Sequence, residues 1–312
     1  MDILLLSFSY VAPFIVYLLL GIASKRLFST SSKTYLDINM FVFKIFLPLS
    51  LFFNIYNSDF ASVDFSDPLL ISLIGTLLIF FLAIFFYGKR NLPKASKSVM
   101  IQNSFRSNFI LFGIPLTQNI MGSTVSGLAG LMTALVIPLF NILSVIVLAF
   151  YYKEKVSFLK TILQILKNPL IIASLIAILL KYFELRIPGL LVDTLYPLGK
   201  IATPMALFAL GGRFIFRTER STIRLLLEGL LVRLFVVPLI AIFVSVSFGI
   251  RGEALALLLV LFGGPVAVTS YTMAQQMGGN EQLAAQLLVY TTVFSTFSLF
   301  VFISILKTYG FF

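Results

Sequence analysis

Ten apolar runs follow one another along this 312-residue chain, at roughly 4–24, 35–56, 69–87, 97–121, 124–151, 161–181, 190–212, 222–248, 254–277 and 282–306. A bilayer core demands about 20 consecutive apolar residues of any helix that crosses it, and every run meets that length. A helix also satisfies its own backbone groups, which hydrocarbon cannot do for it. With 59% hydrophobic residues, 11% charged residues and a mean hydropathy of +1.05, no ordinary soluble domain is plausible. The connections are short, so the chain reads as one all-α integral membrane unit of ten transmembrane helices. The first run has no basic residue ahead of it, while Lys25 and Arg26 follow it, which predicts a retained helix rather than a cleaved signal.

Cysteine and histidine are both absent. Disulfides, thiolate metal sites and the usual neutral-pH proton shuttle therefore drop out, and no metal or cofactor is expected. The net charge of +11 could suggest nucleic acid, but its placement gives a simpler account. Counting helices in order, connections 1–2, 3–4, 5–6 and 7–8 hold fifteen Lys and Arg: Lys25, Arg26 and Lys33; Lys89, Arg90, Lys94 and Lys97; Lys153, Lys155, Lys160 and Lys167; Arg213, Arg217, Arg220 and Arg224. The opposite side holds only Lys181, Arg186, Arg251 and Lys307, and its 2–3 connection carries Asp59, Asp64 and Asp67. By the positive-inside rule the basic side is cytoplasmic. Both termini then fall on the extracytoplasmic side, and nucleic acid is not a partner. The remaining cations, Lys44, Arg106, Lys200 and Arg233, fall inside spans, where charge is expensive and therefore informative. Arg233 and Glu228 read as partners in a local network near the basic side.

The two halves look like copies. Leu111 to Pro115 (Leu-Phe-Gly-Ile-Pro) matches Leu261 to Pro265 (Leu-Phe-Gly-Gly-Pro) at an offset of 150. Lys44 to Phe52 matches Lys200 to Phe208 at an offset of 156, sharing Lys-Ile-x-x-Pro-x-x-Leu-Phe. Two matches in the same order predict duplication of a five-helix unit, residues 1–156 and 157–312. An odd number of crossings inverts the second copy relative to the first, which is the inverted-repeat build of many carriers.

A Gly-x-Pro step lacks a backbone donor and bends easily, so helices 4 and 9 are predicted to break near Gly113–Pro115 and Gly263–Gly264–Pro265. Pro115 and Pro265 would then take the first helical position of each second half. If the two helices cross at their breaks, the N-terminal ends of those halves converge, and such a focus favours an anion. Polar residues flank the breaks: Asn103, Arg106 and Asn108 before the first, Thr117, Gln118 and Asn119 after it, then Thr269, Ser270, Thr272, Gln275 and Gln276 after the second. No acidic residue lies between Lys97 and Met121 or between Ala254 and Met277. Asn103, Arg106, Asn108, Gly113, Pro115, Thr117, Gln118, Gly263, Gly264, Pro265, Thr269, Ser270 and Gln275 are the candidate substrate-binding residues, with Lys44 and Lys200 as auxiliary charges. Each has a plainer reading: prolines kink membrane helices without marking sites, polar side chains glue helices together, and lysines snorkel.

Three stretches resemble bacterial members of the auxin efflux carrier family: Arg106-Ser-Asn108-Phe-Ile-Leu-Phe-Gly113-Ile-Pro115-Leu, Pro197 to Gly211, and Gly264-Pro265 through Ala274 to Gly278. The resemblance implies a ten-helix carrier in which broken helices 4 and 9 cross at the substrate site. It also implies a scaffold of helices 1, 2, 6 and 7, and a moving domain of helices 3–5 and 8–10 giving elevator-type alternating access. Family substrates are organic anions, auxin in the plant branch and compounds such as malonate or malate in bacteria. The family's crossover prolines map to Pro115 and Pro265 and its substrate-contacting asparagine to Asn108. The long cytoplasmic loop of many plant members, between helices 5 and 6, is missing here. The expectation is a secondary transporter of small carboxylates in the bacterial inner membrane, not an enzyme. Its partners are the anion and the bilayer, with a homodimer left open. Two alternatives stand beside it, a sodium-coupled organic-anion symporter of bile-acid type and a non-transporting metabolite sensor.

Overall fold

The structure is a computed structural model and describes residues 2–57, 67–121, 127–152, 163, 166–215 and 220–311. Asp59, Asp64, Lys153, Lys155, Lys160 and Arg217 lie outside the described residues, as does the side chain of Asn119. The described residues are helical with no strand: α1 (Asp2–Leu27), α2 (Ser32–Tyr56), α3 (Asp67–Gly88), α4 (Lys94–Phe105), α5 (Ile114–Met121), α6 (Gly127–Tyr152), α7 (Pro169–Tyr182), α8 (Gly189–Lys200), α9 (Ala202–Arg213), α10 (Thr222–Ser247), α11 (Gly252–Gly263), α12 (Val268–Gln276) and α13 (Glu281–Thr308). Five of them, α2, α3, α6, α10 and α13, are long and apolar enough to cross a membrane by length and composition. Shorter apolar helices account for further stretches, because spans that the sequence reads as continuous are interrupted.

Helix starts follow ordinary capping chemistry. Asn168 caps α7 by accepting from the Leu170 amide at 2.9 Å, with Pro169 next, where a missing N–H costs nothing. Asn280 does the same for α13 through the Leu283 amide at 3.0 Å.

Three π turns share one cause. Val42–Phe46, Phe109–Gly113 and Val232–Val236 are each followed by a residue and then a proline: Leu47-Pro48, Ile114-Pro115 and Val237-Pro238. A proline ring collides with the carbonyl four residues back, and widening the preceding turn by one residue relieves that collision without ending the helix. The residue before each proline accordingly donates five residues back, Leu47 to Val42, Ile114 to Phe109 and Val237 to Val232.

Packing divides the helices into two sets. In one, α1 lies against α9, and α2 against α7, α8 and α9. A Cβ at Gly21 would sit 2.1 Å from the Phe208 carbonyl oxygen, and one at Gly211 would sit 2.1 Å from that of Leu18. Backbone meets backbone there, the close approach that small residues permit in membranes. In the other set, α3 packs on α4 and α6, α10 on α11, α11 on α5, and α12 on α13. Every residue of α11 from Leu255 to Gly263 is buried, as expected of a helix apolar on all sides. The sets meet chiefly along α1–α13, α9–α12 and α2–α6.

Candidate functional site

The two interrupted segments touch at their interruptions. Chain leaves α4 at Phe105, runs out of helix through Arg106, Ser107 and Asn108, and re-enters helix at Phe109. The second segment leaves α11 at Gly263 and re-enters at Val268. Ser107 and Val266 form an antiparallel bridge, and the Asn108 amide donates to the Pro265 carbonyl at 2.8 Å. The Val266 amide is satisfied by the Thr291 hydroxyl at 3.2 Å. Freed backbone groups are thus met by protein, as hydrocarbon requires.

This geometry corrects two expectations. The first break lies at Arg106–Asn108, upstream of Gly113–Pro115, because Pro115 is accommodated by the Phe109–Gly113 π turn and the helix continues through it. Pro265 lies in the extended crossing, ahead of α12, and takes no helical position. The sequence-predicted pairing of Arg233 with Glu228 is also corrected. Glu228 binds Arg90, whose guanidinium that hydrogen bond raises above its ordinary pKa, whereas Arg233 turns to the crossing.

A cavity of about 290 Å³ opens on the crossing. The first turns of both second halves line it, Phe109, Ile110 and Leu111 from one and Ala267, Val268 and Thr269 from the other. These are helix ends whose first amides have no intrahelical acceptor and carry partial positive charge. Arg106, Ser107 and Asn108 line it too, with Asn141 of α6, Leu170 of α7, Ser50 and Asn54 of α2, and Tyr196, Lys200 and Thr203 of α8 and α9. No aspartate or glutamate is among the lining residues.

Arg106 is 3% exposed and donates to Asn141 Oδ1 at 2.6 Å, Thr269 Oγ1 at 2.5 Å and Met273 Sδ at 2.9 Å. These partners are neutral, so the guanidinium sits beside the cavity as a charge without a carboxylate among them. Asn108 is 6% exposed, and its Nδ2 has no hydrogen-bond partner; the Ser107 hydroxyl is likewise unpartnered. A buried donor left unmade is costly, and two such groups on a cavity wall suit an incoming acceptor. Lys200 lies 4.3 Å over the Tyr196 ring, a cation–π contact at the same wall.

Of the candidate residues, Arg106, Asn108, Thr269 and Lys200 come together here. Asn103 instead donates to the Gly229 carbonyl at 3.0 Å and ties α4 to α10. Gly113 is buried between Phe109 and Val260, Pro115 follows the π turn, and Thr117 bonds back to the Gly113 carbonyl at 3.0 Å. Gln118 is exposed, as is Lys44. Gly263, Gly264 and Pro265 build the second break without lining the cavity; Ser270 is buried beside them with its hydroxyl unpartnered. Gln275 belongs to a separate network with Asn39, Tyr271 and Glu281. In that network Glu281 accepts from Arg213 Nε at 2.5 Å and Nη2 at 2.9 Å, and Thr272 donates to Asn39 at 2.9 Å. It joins the two helix sets at the ends of α2 and α9 remote from the cavity. Among the described residues, no group of three or more His, Cys, Asp or Glu gathers to hold a metal. Asn141, which sequence reasoning passed over, is a polar residue within an apolar run, and that isolation was its signal.

A family model described as membrane transport protein matches residues 6–158 and 154–303. The chain belongs to that family, the auxin efflux carriers. No curated protein matches it. This membrane transporter therefore carries its cavity where its two broken helices meet.

Proposed function

We propose that the transporter is a secondary carrier of small organic anions, carboxylates above all, working by elevator-type alternating access in the bacterial inner membrane. One observation carries the reading. The cavity combines Arg106, Lys200, the unpartnered Asn108 amide and two helix N-termini with no lining carboxylate. Every one of those groups favours negative charge, and charge-assisted hydrogen bonds to a carboxylate are roughly twice as strong as neutral ones. A volume of about 290 Å³ falls at the small end of ligand pockets, which begin near roughly 300 Å³.

In this reading Asn108, Arg106 and Thr269 hold the carboxylate with the first amides after both breaks. The glycine-packed set α1, α2, α7, α8 and α9 is the scaffold, and the other set carries the site across the membrane. Duplication of a five-helix unit is supported by the family model, which matches each half of the chain, residues 6–158 and 154–303. The charge asymmetry of the connections supports extracytoplasmic termini. Uptake of labelled mono- and dicarboxylates into proteoliposomes tests the proposal. Saturable flux that falls in Asn108→Ala is expected. Absence of flux across the panel, or flux undiminished in that variant, rules it out.

A further inference from the structure

Arg233 stands in the π turn of α10 with 0% exposure. Its Nε donates to the Gly264 carbonyl at 2.9 Å, its Nη2 to that of Leu261 at 3.1 Å, and its Nη1 to that of Ser104 at 3.2 Å. Two acceptors belong to the C-terminal end of α11 and its exit, and the third to the C-terminal end of α4. One guanidinium therefore caps both broken helices at their negative ends, and neither it nor its acceptors line the cavity.

In transporters with discontinuous helices, carbonyls at such C-terminal ends are where a coupling cation is coordinated. We propose that Arg233 is a tethered internal cation filling that position, so the crossing holds its own positive charge and assembles without sodium. This deepens the carrier reading and rests on it for its transport consequence, while the binding chemistry stands by itself. Three inward-facing carbonyl oxygens around a removable guanidinium amount to a cation site whose occupant is covalently attached. Truncating the side chain should leave a vacancy that a small free cation fills.

The test uses the full chain as wild type, Arg233→Ala, Arg233→Lys and Arg233→Met. Thermal midpoints are measured in detergent with no organic anion, in choline, sodium or guanidinium chloride at millimolar concentration. Carboxylate flux is measured separately in proteoliposomes. The wild type should show the same midpoint and the same flux in sodium as in choline. Arg233→Ala should melt more than about 5 °C lower, because buried carbonyls lose a charged partner, and should recover saturably with guanidinium or sodium. Arg233→Lys should keep more than half of the lost interval. An alanine variant as stable as the wild type overturns the proposal. So does one that neither cation restores, or a wild type whose midpoint or flux rises with sodium. If the alanine variant does not fold, a folded lysine variant beside an unfolded methionine variant supports it, and equal behaviour of the two overturns it. Cation rescue of the midpoint with no carboxylate flux from any form would leave the tethered cation standing and sink the carrier reading alone.

Discussion

The crossing treats its two kinds of helix end in opposite ways. On the cavity side the N-terminal turns at Phe109–Leu111 and Ala267–Thr269 are left facing open space, beside an asparagine amide with nothing to bind. On the other side the C-terminal ends at Ser104 and Leu261–Gly264 are closed by Arg233. The two buried arginines differ accordingly. Arg106 is held by side chains of Asn141, Thr269 and Met273, which can turn away to a new partner, whereas Arg233 is held by backbone carbonyls, which cannot. The lesson is that burial of a charge says little about its role until the nature of its acceptors is known.

The comparison can be broken at either arginine. Arg233→Met should cost at least about 1–3 kcal/mol of stability, since three fixed backbone carbonyls are left buried without a donor and cannot turn to another; thermal or denaturant unfolding in detergent reads it. Arg106→Met should spare stability or raise it, because a buried charge lacking a carboxylate is itself unfavourable. The same change should raise the carboxylate KM by about 10- to 100-fold, the loss of a hydrogen bond to charge worth roughly 1.5–3 kcal/mol. If both variants destabilise equally, the contrast between the two sides is wrong. Asn108→Ala should weaken anion affinity by about five- to tenfold, one ordinary hydrogen bond of about 1 kcal/mol, with folding intact. Glu281→Gln, remote from the cavity and half-buried with a side chain 28% exposed, should alter initial rates no more than about fivefold, because the amide keeps an oxygen to accept from Tyr271 and Gln275 and what is lost is a partly solvated ion pair of about 1 kcal/mol. Gln118→Ala should change neither KM nor stability, since that side chain is exposed and off the cavity. An effect there matching Asn108→Ala would move the site to the far side of Pro115.

Run lengths and charge placement made the membrane class readable, because hydrocarbon imposes both. The breaks were only half readable. Gly264-Pro265 marks the second one correctly, but the matching pentapeptide at Leu111 to Pro115 lies in continuing helix, where a π turn absorbs the proline. A proline reports that a regular turn is impossible without saying whether the chain widens or unwinds. The unwound stretch itself, Arg106-Ser-Asn108, carried a different signal, three polar residues together inside an apolar run, where side chains or ligands stand in for lost backbone partners. Arg233 was misread because Glu228 is near in sequence. Five residues along a helix put two side chains on different faces, and Arg90 is the partner in space. Tyr196 and Thr203 of the α8–α9 wall depended on tertiary placement that no local pattern encodes.

The knot of Asn39, Gln275, Arg213 and Glu281 has a consequence for traffic. It fastens the half of α2 and the tip of α9 that lie farthest from Ser50 and Lys200, so any sliding of one helix set against the other must part a salt link and two amides together.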